Sequence, residues 1–145
     1  MKESTITDVA RSVVGDGQKM TMFASRPAAG FPAPGDDLIE KALDINDLVV
    51  ENPASTFFVR VEGDSMEGAG IFSGDVLVVD RSVDAKDGKI VVAAVNGEML
   101  VKRLSISKGL NPLLVSENEE YAPIALGEDE DCFIWGVVVG SVRVF

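Results

Sequence analysis

Asn96-Gly97 separates two short runs, 89–95 and 98–104, in which apolar and β-branched residues predominate. This dipeptide is the strongest local signal for a two-residue hairpin, because both turn positions need a positive φ that few other pairs accept. With it as the loop, Val95 faces Glu98, Ala93 faces Leu100 and Val91 faces Lys102. The runs 56–61, 76–79, 113–116, 133–139 and 142–145 are equally short and bounded by turn residues. Together they predict a mostly β fold, twisted and mostly antiparallel, with small helices at one end.

The first third of the chain reads differently. Residues 1–29 have no strong period: Val9, Val13 and Val14 fit one side of a short helix that Gly15 and Gly17 would stop, and a disordered tail fits as well. Met20, Met22 and Phe23 are candidates for docking on the body. Residues 25–35 are small residues and prolines, so the segment cannot continue a helix and should be extended and exposed. Asp36 is placed to cap a short helix through Leu38, Ile39, Ala42 and Leu43, and a second helical turn fits 46–50 before Pro53. The division expected is an N-terminal arm, 1–29, and a globular body, 30–145.

The chain has no histidine. That removes the usual general base of serine hydrolases and the commonest metal ligand. Ser65 nonetheless sits in Gly63-Asp64-Ser65-Met66, just after a strand-like run, where glycine permits a tight turn and close approach of a peptide. The backbone N–H groups of Asp64 and Ser65 are then candidates for an oxyanion hole. Lys102, in Leu100-Val101-Lys102-Arg103-Leu104, shares a strand face with two leucines, the setting that lets an amine give up its charge. A Ser65–Lys102 dyad is thus the hydrolytic pair this composition allows. Each half has another reading, Ser65 as a turn residue and Lys102 as a snorkelling side chain. Ala29-Gly30, within the extended segment, offers least steric resistance to a nucleophile, although the same stretch also reads as a plain linker.

These three motifs in register, Ala29-Gly30-Phe31-Pro32, Gly63-Asp64-Ser65-Met66 and Val101-Lys102, resemble the UmuD family of LexA-like self-cleaving Ser-Lys peptidases, family S24. Phe57-Phe58-Val59, residues 74–80 and 90–98, 118–124 and Gly136-Val137-Val138 match as well. The first two dozen residues match only loosely, and Ala-Gly at the cleavage point is nearer the LexA repressor pattern than the Cys-Gly of the best-known members. The resemblance implies a LexA/signal-peptidase-like β-fold with an extended N-terminal arm. It implies that Ser65 attacks the carbonyl between Ala29 and Gly30, with Lys102 as general base. It further implies stimulation by a RecA nucleoprotein filament on single-stranded DNA, a homodimeric product, and service as accessory subunit of a UmuC-like Y-family polymerase in error-prone lesion bypass. The alternatives are a non-enzymatic β-rich interaction subunit and a Ser-Lys protease acting on other proteins.

Charge bears on partners. The formal net charge is −11. Residues 1–29 carry Lys2, Arg11, Lys19 and Arg26 against Glu3, Asp8 and Asp16, a net of +1 that leaves −12 on the body. A body so acidic is repelled by a phosphate backbone, which favours protein partners over direct DNA binding. No apolar run approaches a membrane span, no signal peptide is evident, and the one cysteine, Cys132, excludes an intrachain disulfide framework and fits a buried core thiol. A cytoplasmic location follows as the expectation. No cofactor or metal is expected; the acidic run Glu128-Asp129-Glu130-Asp131 reads more readily as a solvated loop than as a cation site. Gly15-Asp16-Gly17 lacks the context of a phosphate loop.

Overall fold

The structure, a computed structural model, describes residues 2–11, 19–23, 39–127 and 131–145. Its strands are β1 (Thr5–Arg11), β2 (Lys19–Phe23), β3 (Ile39–Asp44), β4 (Thr56–Glu62), β5 (Val76–Asp80), β6 (Ile90–Val95), β7 (Glu98–Ser105), β8 (Leu113–Val115), β9 (Ile124–Ala125) and β10 (Cys132–Val142). One short helix, α1 (Ile45–Val49), follows β3, with the Asp44 carboxylate accepting from the Asn46 amide at its start.

Eight strands form one sheet in the order β1-β4-β5-β10-β6-β7-β8-β9, and all pairs are antiparallel. A further pairing of Thr5 in β1 with Leu100 in β7 brings the sheet round on itself. Closure of this kind removes exposed sheet edges. The strand that closes the barrel is therefore the first in the sequence. Strands β2 and β3 form a separate two-stranded sheet.

The β6–β7 hairpin has the register its sequence predicts: Val95 opposite Glu98, Ala93 opposite Leu100, Val91 opposite Lys102. Asn96 and Gly97 take φ of 49° and 83°, as the two-residue turn requires. Both faces of the hairpin are covered. Val92 and Val101 join Val59, Val61, Met66, Leu77 and Val79 in one apolar cluster. Val91, Ala93, Leu100 and Leu104 join Leu114 and Val137 in a second. Each buried Val, Leu or Met side chain among them contributes roughly 1.5–3 kcal/mol by leaving water. Lys102 alternates onto the second face, so a charged residue is built into a strand that is apolar on both sides.

Four expectations are corrected. The segment holding Val9 is strand β1 rather than a helix, held by main-chain pairing to β4 from Thr5↔Glu62 to Arg11↔Phe57. Ile39, Ala42 and Leu43 lie in β3, not in a helix, because pairing with β2 overrides the helix propensity of Glu-Lys-Ala-Leu. The runs 133–139 and 142–145 are not two strands: β10 continues through Cys132–Val142, and the last three residues form no strand. Cys132 is half-buried against the second cluster rather than sealed in the core. The helical turn expected at 46–50 is present as α1. Met20, Met22 and Phe23 lie in β2, whose partner is β3.

Candidate active site

Ser65 follows the end of β4, where the chain turns through Gly63 at φ +113° and enters a 3₁₀ turn at Glu67–Ala69. The turn is braced from beneath. Val61 N–H donates to the Asp75 carbonyl, the Val61 carbonyl accepts from Gly74 N–H, and the Gly63 amide donates to Ser73 Oγ. Asp75 in turn is clamped by Arg143, whose Nε and Nη2 donate to its two oxygens at 2.7 and 2.8 Å. That guanidinium holds the Asp75 carboxyl below its ordinary range, against a burial that pushes the other way. Phe72 stacks on the guanidinium at 4.3 Å, so the C-terminal segment locks the base of the serine turn.

Lys102 reaches the same place from β7. Ser65 is fully buried and Lys102 only 1% exposed. They meet at one atom: Glu3 Oε1 lies 3.1 Å from Ser65 Oγ, which donates to it, and 2.6 Å from Lys102 Nζ. Lys102 Nζ also donates to Ser116 Oγ at 2.5 Å and stands 5.5 Å from the centre of the Tyr121 ring. Partial burial, and then the charges of Glu3, Asp64 and Glu120, push the Tyr121 phenol above its usual 10. The Arg103 guanidinium, next along β7, is paired with Glu117 and donates to the Gly88 carbonyl, tying the segment after Ser116 to β7.

The amides expected to form an oxyanion hole both point at a single oxygen. Asp64 N–H and Ser65 N–H donate to the Lys2 carbonyl at 2.9 and 3.2 Å. The rest of the N-terminal segment continues the same contact. Ser4 N–H donates to Ser65 Oγ at 2.8 Å, and the Ser4 carbonyl accepts from Val101 N–H at 3.0 Å. The Lys2 amide donates to Asp64 Oδ1. Gly63 is what allows the approach: a Cβ there would lie 2.1 Å from the Glu3 carbonyl oxygen.

Ser65, Lys102 and the Asp64–Ser65 amides are thus brought together. Ala29 and Gly30 lie outside the described residues, as do Glu128, Asp129 and Glu130 of the acidic run. Among the described residues no group of three His, Cys, Asp or Glu side chains is gathered as metal ligands would be, and no helix is long and apolar enough to cross a membrane. Sequence reasoning missed two members of the cluster. Ser116 carries one faint signal, a hydroxyl ending the apolar run Leu113-Leu114-Val115. Glu3 carries none, being 62 residues from Ser65. Beside Ser116 opens a groove of about 490 Å³ lined by Val115, Glu117, Asn118, Glu119, Tyr121 and Pro123.

A barrel of this topology with a serine and a lysine converging at one end defines a peptidase-like architecture, and the comparisons with known proteins agree. The peptidase S24-like family matches residues 21–139. Protein ImpA of Salmonella typhimurium is 42% identical over 130 residues, covering 88% of this chain and 86% of the relative. Protein MucA of Escherichia coli is 40% identical over 121 residues, covering 83% and 82%. The LexA repressor of Xylella fastidiosa (strain M12) is 43% identical over 118 residues, 81% of this chain but 55% of the repressor. The chain belongs to the S24 family of LexA-like serine peptidases and, within it, to the UmuD family.

Proposed function

We propose that this protein cleaves itself between Ala29 and Gly30, with Ser65 as nucleophile and Lys102 as general base. The observation that carries the reading is the shared contact at Glu3 Oε1, which puts Ser65 Oγ and Lys102 Nζ within reach of one site, beside two convergent backbone donors. With the Ala29 carbonyl at that site, neutral Lys102 takes the Ser65 proton as Oγ bonds to the carbonyl carbon. The Asp64 and Ser65 amides stabilise the oxyanion. Collapse of the tetrahedral intermediate breaks the bond to Gly30, whose nitrogen receives the proton from Lys102. Water, deprotonated by the same amine, then hydrolyses the acyl-serine. Ser116 is a positioning residue that fixes the direction of Nζ.

Membership of the UmuD family supports a role for this reaction in the response to DNA damage. In this reading a RecA nucleoprotein filament on single-stranded DNA stimulates cleavage. The processed chain, a homodimer in the cytoplasm, serves a UmuC-like Y-family polymerase during error-prone lesion bypass. An exposed apolar tail, with Val144 and Phe145 out of the barrel and Phe133 on β10 also exposed, supports association with protein rather than DNA. The test is mass spectrometry of the purified chain held at alkaline pH, with and without activated RecA. Fragments ending at Ala29 and starting at Gly30 are expected in both, faster with RecA. An intact chain under both conditions would overturn self-cleavage and leave the non-enzymatic reading and that of a protease acting on other proteins.

A further inference from the structure

The substrate-binding end of the barrel is already filled by residues Lys2–Thr5. Their backbone pairs with both walls: Thr5 with Glu62 of β4 and with Leu100 of β7. The Lys2 carbonyl takes both oxyanion donors, and Ser4 N–H takes a lone pair of Ser65 Oγ. The Glu3 carboxylate holds Lys102 in an ion pair. Every group needed for catalysis is therefore engaged, and each in a way that prevents it. An ammonium donating to Glu3 and Ser116 is no base, and an oxyanion hole occupied by a carbonyl admits no other. The groups facing this cluster are Lys102 from β7, Asp64 and Ser65 from the serine turn, Glu3 itself, and Ser116 and Tyr121 from the segment beyond β8.

We propose that residues Lys2–Thr5 are a built-in pseudosubstrate, a strand that occupies the cleft in place of the 29–30 bond and must leave before self-cleavage. The inference rests on the Ser65–Lys102 reading for its consequence but not for its geometry. Two features make the strand releasable. Ser4 Oγ is buried with no hydrogen-bond partner among the described residues, a standing cost of the seated state. Glu3 remains a quarter exposed at the open side of its ion pair, where solvent competes for the carboxylate. The contact is also made by main-chain atoms, so the seat accepts an extended peptide generally, as a substrate cleft must.

Thiol accessibility tests this without requiring catalysis. In the full chain carrying Ser65→Cys, alkylation by iodoacetamide is followed by peptide mapping, which separates position 65 from Cys132. Slow alkylation is expected, rising roughly tenfold or more when Glu3→Ala or Ser4→Pro is added, since either shifts the strand toward release. A synthetic peptide of residues 2–11 at millimolar concentration should slow it again, which shows that the seat is still folded. Equal alkylation rates in all variants, or no protection by the peptide, would overturn the proposal. In the chain with Ser65 intact, Glu3→Ala should speed cleavage at 29–30 at a fixed alkaline pH. If the thiol is released but no cleavage follows, the pseudosubstrate stands and the dyad falls. Cleavage between Lys2 and Glu3 would make the strand a substrate and overturn the proposal.

Discussion

At the residue scale, Lys102 and Ser65 are both taken out of water, so each depends on its neighbours to stay polar in the core. Ser65→Ala should abolish self-cleavage while leaving the circular dichroism spectrum unchanged, because the deleted oxygen lies at the end of the barrel and not in either apolar cluster. Lys102→Arg should be equally inactive, since guanidinium keeps its proton across the accessible pH range; normal cleavage by this variant would sink the dyad. Asp80 tests a different residue-scale effect. Burial raises its pKa, but hydrogen bonds from Asn52, from the hydroxyl and amide of Ser82 and from Ser55 prevail and hold it at about 2, below the ordinary 3.8. A carboxyl depressed on folding contributes stability that is present above pH 3.8 and lost as the pH falls toward 2. The size is about 2 kcal/mol. In Asp80→Asn, Trp135 fluorescence during acid titration should show a flatter fall in stability across that window, and urea unfolding at neutral pH a lower midpoint.

At the element scale, the β6–β7 hairpin is the part most dependent on local sequence. Gly97→Val, at φ 83°, should destabilise the fold by about 1–2 kcal/mol, read as a lower urea midpoint at constant slope. The same locality explains what the sequence makes legible. β4 to β7 are visible because β-branched runs, turn residues and alternation agree, and Lys102 is placed on its face by period alone. β1 is invisible because Thr5 to Arg11 pairs with residues more than forty positions away, and its outer part is exposed, so no burial pattern marks it. β3 is written in helix-forming residues and is a strand only because β2 lies beside it. In the site, the serine turn and the lysine strand are legible, whereas Glu3 and Ser116 join them through tertiary contacts that leave no local trace.

At the scale of the whole molecule, the acidic body and apolar tail set the expected associations. The separate strand expected at 142–145 is absent, and the exposed Val144 and Phe145 offer an apolar surface for dimerisation. Sedimentation of the processed chain at micromolar concentration should give a dimer little affected by salt, since an apolar contact is not screened. A monomer there would remove the dimer from the reading. The position of β1 carries a last consequence. While the chain is intact, the strand that closes the barrel is tethered to it, and a tether of this kind holds a ligand at an effective concentration on the order of millimolar. Cutting at 29–30, as proposed, would sever that tether. The strand would then be a free peptide at whatever concentration the protein itself has, about a thousand times or more dilute at a concentration of about a micromolar or less, and mass action would carry it away. A single hydrolysis would therefore act as a ratchet: it vacates the cleft, bares the flank of β4, and leaves no route back to the sealed barrel.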